Sequence, residues 1–299
     1  MHLDAVERQI EHYIQTLDDK EVAALYTKLP RGKRLRAKLV LRIAGNGLRA
    51  IQTAAIVELI HAASLLHDDV IDDADKRRGV PSLHTVYGNK TAIMLGDILY
   101  SKGFMELVGV DRKVAEYIAT AVTQLSIGEL HDVTLSKRFN PDRNAYEMMI
   151  YQKTASLIEA AAASAAHLAG KPVEAYRAYG LSLGMAFQMI DDLLDVVSDA
   201  EMLGKPAMHD FEEGKTTLPY IYLYEALGSE ERVRLEALHA KRLSVSEQEW
   251  IRTQMQRHGI IRKCYMQARE LVDEAVDIMN ELGEYALSDI ALAMIDREF

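Results

Sequence analysis

Six prolines in 299 residues, and the places where they stand, constrain this chain more than any other feature. Pro30, Pro81, Pro141, Pro172, Pro206 and Pro219 all fall between stretches in which apolar residues recur at helical spacing. A proline inside a helix removes a hydrogen bond and collides with the preceding turn, so long proline-free spans leave helices open to form. Ile56, Leu59, Ile60, Ala63 and Leu66 follow the i, i+3, i+4, i+7 pattern of an amphipathic helix, and Met185, Ile190, Leu193, Leu194 and Val197 mark another. LIEAAAASAAHLAG carries Glu159 but is otherwise made of small residues that suit closely packed helices. Near the C-terminus, Ser246 with Glu249 reads as a capping box opening a helix that His258-Gly259 ends. Strand-like alternation is hardly present and no low-complexity linker divides the chain. The reading is all-α, one domain over residues 1–299.

Composition removes several function classes. A net charge of −10 argues against general nucleic-acid binding, which needs a basic face. It leaves room for a small anionic ligand, because local cations can outweigh the global balance. A single cysteine, Cys264, excludes an intrachain disulfide and makes a cysteine-rich metal site implausible. The N-terminal MHLDAVERQIEHYI lacks the apolar core of a signal peptide, and no run reaches the ~18 uninterrupted apolar residues of a transmembrane segment. A soluble, cytoplasmic protein is expected.

The chemistry starts at LLHDDVIDDADKRRG, residues 65–79, where five aspartates crowd behind an apolar helical pattern. On a helix, Asp68 and Asp72 share a face. The same Asp-Asp-x-x-Asp returns in QMIDDLLD, where Asp191 and Asp195 share a face. Like charges at that spacing repel, and more so among apolar neighbours. A hard divalent cation removes the repulsion, and an all-oxygen ligand set points to Mg²⁺ rather than zinc or copper. One such motif could equally be a solvated acidic patch. Two copies on apolar helices tell against that.

Cations stand ready beside both motifs. Arg31-Gly32-Lys33-Arg34-Leu35-Arg36 precedes an apolar helix, Arg77 and Arg78 follow the first aspartates, and Lys153-Thr154 and GKPAMHDFEEGK flank the second. Each alone is a common surface feature. Together they fit anion clamps around metal-binding helices, and so diphosphate chemistry.

In order along the chain, GKRLR (32–36), ELIHAASLLHDDVIDDADKRRG (58–79), GDILYSKGF (96–104), KTASLI (153–158), FQMIDDLLD (187–195) and GKPAMHDFEEGKTTLP (204–219) resemble the motifs of the trans-isoprenyl diphosphate synthases, the polyprenyl synthetase family. The resemblance implies an all-α bundle of long helices around a central cavity, a homodimer, and about three Mg²⁺ ions per site. It implies Asp68, Asp72 and Asp191 as metal ligands, with Asp69, Asp192 and Asp195 supporting them directly or through water. Arg77, Lys153, Thr154, Gln188 and Lys205 match positions that hold an allylic diphosphate such as farnesyl diphosphate. Lys33, Arg36, His61 and Arg78 match those that hold isopentenyl diphosphate. The implied reaction is ionisation, condensation and elimination, with no general base assigned to the protein.

The chain departs from the family pattern in places. Ala37 stands where proline is usual, which is expected to loosen that helix start. Val80 replaces a frequent lysine, and Met208 replaces a common glycine in the loop after the second motif. Asp132 falls near a position that faces the metals. Ala63 and Ser64, five and four residues before Asp68, lie about 6–7.5 Å below the metals on a helix. Their small side chains leave a growing product room and favour a long, octaprenyl-like chain for quinone tails. A floor set by Phe104 or Met105 is the alternative. The rival readings are a farnesyl or geranylgeranyl diphosphate synthase, a terpene cyclase, and a non-catalytic subunit of a heteromeric synthase. Both aspartate motifs and Lys33 with Arg36 argue against the last two.

Overall fold

The computed structural model describes residues 3–197 and 208–295. Two compact units form, one from Met1–Thr123 with Leu157–Gly180 and the other from Gln124–Ser156 with Leu181–Phe299. Apart from one two-residue strand pair, the regular structure of the described residues is helical, as the proline spacing requires.

The first unit is organised on one helix. It holds α1 (Leu3–Gln15), α2 (Lys20–Tyr26), α3 (Leu35–Ala44), α4 (Leu48–Ile71), α5 (Leu83–Tyr87), α6 (Asn89–Leu107), the first half of α7 (Arg112–Leu135), α9 (Ser156–Leu168) and the opening turns of α10 (Val173–Val197). Every residue of α4 from Thr53 to Ile60 is buried, so this is a core helix with no solvent face there. α6, α3 and α1 pack around it. Among the described residues α4 alone is long and apolar enough to cross a membrane, yet 67% of that stretch is buried inside the protein. Small side chains behave as expected in α9, where Ala160 to Ala166 are all buried. Its one charge, Glu159, meets Arg177 at 2.8 Å.

The second unit contains the rest of α7 and α10, α8 (Arg143–Ile150) with a π-helical turn (Tyr151–Ala155), α11 (His209–Glu212), α12 (Leu218–Ala226), α13 (Ser229–Leu238), α14 (Val245–Arg257), α15 (Ile260–Glu281) and α16 (Tyr285–Ile295). Here α15 packs on α16, α12 and α14. The expected cap of α14 is shifted. Ser244, not Ser246, caps it, and the Glu247 carboxylate accepts from the Ser244 N–H at 2.7 Å. Both serines have a glutamate three residues on, so the local pattern allowed either register. The stop is as read, with Gly259 at φ 65° just beyond His258.

Candidate active site

The first aspartate motif occupies the last turn of α4. Asp68 and Asp72 are half-buried, and the Asp72 N–H closes the turn on the Asp68 carbonyl at 2.8 Å. Asp73 then takes a left-handed φ of 49°, and the Ala74 N–H reaches back to the Asp69 carbonyl at 2.9 Å. That is a helix stop usually built on glycine, and aspartate is among the few other residues that tolerate it. Asp73 and Asp75 thereby gain structural parts. The Asp75 carbonyl accepts from the Ser82 N–H at 2.9 Å, closing the base of the strand pair β1 (Lys76–Arg77) and β2 (Val80–Pro81).

Arg78 and Gly79 make the tip of that hairpin, with φ values of 53° and 79°. Positive φ at both central residues is what a tight two-residue turn demands, and Arg78 bears it without being glycine. Arg77 turns the other way, its Nε 2.5 Å from Asp69 Oδ1. Asp69 is 4% exposed and anchors Arg77. Burial raises the Asp69 carboxyl above its ordinary value, and the Arg77 charge opposes the rise.

The basic segment is held from beneath. Arg34, at φ 54°, forks onto Glu7 through Nε at 2.7 Å and Nη2 at 3.1 Å, and its Nη1 lies 3.3 Å from Glu58. The other oxygen of Glu58 accepts the Ala37 N–H at 3.0 Å. The helix start that proline's absence was expected to loosen is instead tied down, by a donor proline does not possess. Lys33 is exposed, whereas the Arg36 guanidinium is depressed by burial, which the Glu58 carboxylate partly offsets. Burial and the charges of Arg36, Arg78, Arg77 and Arg34 hold the His61 imidazole far below its ordinary range, so it is neutral. Arg36, His61 and Arg78, separated in sequence, thus share one electrostatic neighbourhood.

In the second unit Lys153 and Thr154 sit on the π-helical turn. A close approach accompanies it, since a Cβ on Gly128 would lie 2.5 Å from the Lys153 backbone nitrogen. Lys153 Nζ meets Asp132 at 2.6 Å and Glu129 at 2.8 Å. Asp132, loosely expected near the metals, is 6% exposed and engaged with this lysine; Glu129 was not legible from the sequence. Asp191 is exposed on α10, while Asp192 and Asp195 are buried. Asp192 accepts from Tyr146 at 2.6 Å and from Gln188 at 2.8 Å, and Gln188 accepts from Thr154 at 2.7 Å. Burial and the Asp210 charge push the Asp192 carboxyl up to about 8, against the pull of its two donors. Asp195 Oδ2 accepts the Asp210 N–H at 3.2 Å and its carbonyl accepts the Met208 N–H at 2.7 Å. Lys205 lies outside the described residues.

Of the residues expected to govern product length, Ala63 is fully buried and Ser64 is 4% exposed, its hydroxyl spent on the His61 carbonyl at 2.9 Å. Phe104 stacks near Tyr100, and Met105 is 57% exposed and so points away from the unit's interior. Among the described residues no group of three or more His, Cys, Asp or Glu side chains forms a ready metal cage. Aspartates paired one turn apart, with only oxygen donors, fit Mg²⁺, which takes one or two carboxylates from protein and completes its shell with water and phosphate.

Helices throughout, aspartate pairs one turn apart and arginines gathered beside the first of them fit a class, the all-α prenyltransferases that work on isoprenoid diphosphates. The chain belongs to the polyprenyl synthetase family, whose model matches residues 20–255, and it is a trans-polyprenyl diphosphate synthase. It is 35% identical to the short chain isoprenyl diphosphate synthase of Methanothermobacter thermautotrophicus, over 89% of this chain and 87% of that protein. It is 33% identical to heptaprenyl diphosphate synthase component 2 of Geobacillus stearothermophilus, over 99% and 96%. The octaprenyl pyrophosphate synthase of Helicobacter pylori superposes with a TM-score of 0.94 at 38% identity, covering 99% of this chain and 98% of that one. A Caulobacter crescentus polyprenyl synthase complexed with calcium and isoprenyl diphosphate gives 0.91 at 31% identity, over 99% and 95%.

Proposed function

We propose that this enzyme condenses isopentenyl diphosphate with an allylic diphosphate such as farnesyl diphosphate and releases a long, octaprenyl-like product for quinone side chains. The observation that carries the length is the pair Ala63 and Ser64, buried and small one turn before the first aspartate. Likeness to the H. pylori octaprenyl synthase supports it. A second reading, a short-chain farnesyl or geranylgeranyl diphosphate synthase, is favoured by the M. thermautotrophicus relative.

The chain acts as one domain, in the cytoplasm, as a homodimer. Asp68, Asp72, Asp191 and Asp195 would hold Mg²⁺, which when bound neutralises charge on the departing diphosphate. Arg77, anchored by Asp69, Lys153, anchored by Glu129 and Asp132, and Thr154, Gln188 and Lys205 bind the allylic diphosphate. They stabilise the charge it gains as its carbon–oxygen bond breaks. Lys33, Arg36, neutral His61 and Arg78 orient isopentenyl diphosphate so that its double bond attacks the allylic cation. The proton is lost to the released diphosphate.

The test is incubation of the purified protein with isopentenyl diphosphate, Mg²⁺ and each primer, followed by chromatographic sizing. Products of long-chain length are expected, shortened by Ala63→Tyr with the first condensation intact. A geranylgeranyl-length limit in the unaltered enzyme selects the short-chain reading.

A further inference from the structure

Tyr146 has no place in the aspartate or basic motifs, yet it is buried at 2% exposure beside the second of them. Its hydroxyl donates to Asp192 Oδ2 at 2.6 Å. The other oxygen, Asp192 Oδ1, accepts from Gln188 Nε2 at 2.8 Å. Gln188 Oε1 in turn accepts from the Thr154 hydroxyl at 2.7 Å. Four side chains from α8, the π-helical turn and α10 thus form one line of hydrogen bonds that ends next to Lys153.

The line fixes more than distances. A glutamine amide reads the same size either way round, so its orientation comes from its neighbours. With Nε2 against Asp192, Oε1 must face Thr154. The reverse placement would set two oxygen acceptors against each other. Asp192 can impose this only while its own plane is held, and Tyr146 holds it from the far side. With both oxygens engaged and 3% exposure, Asp192 is a scaffold rather than a group that reaches a ligand. What remains to donate to an anion is the second Nε2 hydrogen of Gln188, while the Thr154 hydroxyl, its hydrogen given to Gln188 Oε1, holds that amide from the other end.

We propose that Tyr146 is a positioning residue for the allylic-diphosphate end of the site, acting through Asp192 on the Gln188 amide and on Thr154. This rests on the reading in which Gln188 and Thr154 meet that diphosphate. A preset Gln188 N–H costs no reorganisation when substrate arrives, and loosening it weakens binding at that end alone.

The experiment is Tyr146→Phe in the full-length enzyme. It measures KM for farnesyl diphosphate and for isopentenyl diphosphate separately, together with the Mg²⁺ activation midpoint and the thermal midpoint. The allylic KM is expected to rise by up to about tenfold, the contribution of one buried hydrogen bond. The isopentenyl KM and the Mg²⁺ midpoint stay unchanged. In a Gln188→Ala background the same substitution adds little, because the line is already cut. An unchanged allylic KM, a shifted Mg²⁺ midpoint, or full additivity with Gln188→Ala would each overturn the proposal. Should Tyr146→Phe not fold, Tyr146→Leu, which also removes the hydroxyl, carries the same expectations for both KM values, and an unchanged allylic KM there overturns it equally. If Gln188→Ala and Thr154→Val themselves leave the allylic KM unchanged, the underlying substrate assignment falls and this inference with it.

Discussion

Met208 stands fully buried at φ 60°, ψ 26°, a left-handed conformation that suits glycine and strains methionine. The sequence shows only that an unusual residue occupies a loop; the cause of glycine's suitability is the backbone angle. Replacing it tests two opposed effects. Met208→Gly relieves about 1 kcal/mol of backbone strain but empties a packed side chain worth about 2–5 kcal/mol. Packing wins, so stability is expected to fall by about 1–4 kcal/mol in urea denaturation. A few residues on, Glu213 lies 2.9 Å from His209 and 3.0 Å from Lys215. Burial pulls its carboxyl up, yet His209 and Lys215 together bring it from 4.5 down to about 2. A depressed carboxylate stabilises the fold above its unfolded value and loses that contribution as pH falls. The loss therefore falls between about pH 4.5 and about pH 2, and Glu213→Gln flattens the acid limb of the stability curve there. An acid limb identical in the two proteins would refute the pairing.

At the scale of elements, the π-helical turn under Lys153 and Thr154 depends on α7 next to it. Gly128→Ala would bring a methyl to 2.5 Å from the Lys153 nitrogen and 2.8 Å from the Gln152 carbonyl carbon, and backbone cannot swing aside as a side-chain tip can. The expected cost is about 1–3 kcal/mol, with a loss of turnover larger than the loss of stability predicts. Equal rates at a lowered melting temperature would detach the turn from catalysis. Such an element is invisible in sequence because its partner glycine lies in another helix. By contrast α4 was legible, since its period, its aspartates and its small residues all lie in one continuous stretch. The hairpin that presents Arg78 was not, being a pair of two-residue strands closed by two residues of positive φ. Likewise Arg77 and Lys153 were identifiable as cations from local pattern. Their anchors, Asp69 on one side and Glu129 with Asp132 on the other, emerged only once the helices were packed. The carboxylate that ties the basic segment, Glu58, sits inside a quoted motif and still gave no sign of its role.

At the scale of the whole molecule, the open issue is whether one kind of chain suffices. A relative named as the second component of a heptaprenyl synthase raises it, and an exposed face of α6 bears on it. Met94, Met105 and Val108 are 53%, 57% and 86% exposed. Their spacing puts Met94 and Met105 on one side of the helix with Val108, its C-cap residue, continuing that side, since eleven and fourteen residues are close to whole turns. Met105 and Val108, neighbours three residues apart, with Met94 further along the same side, put large apolar side chains toward water, which suits a covered surface better than a bare one. In the homodimer proposed above, the occupant would be a second copy presenting the same face. The purified chain alone should then run at twice the single-chain mass in light scattering and turn over without any added protein. Met105→Glu places a charge in that patch and should shift the mass toward one chain, with Val108→Glu adding to the shift. A wild-type chain that stays single, or that gains activity only when a different polypeptide is supplied, would place it among the heteromeric synthases instead.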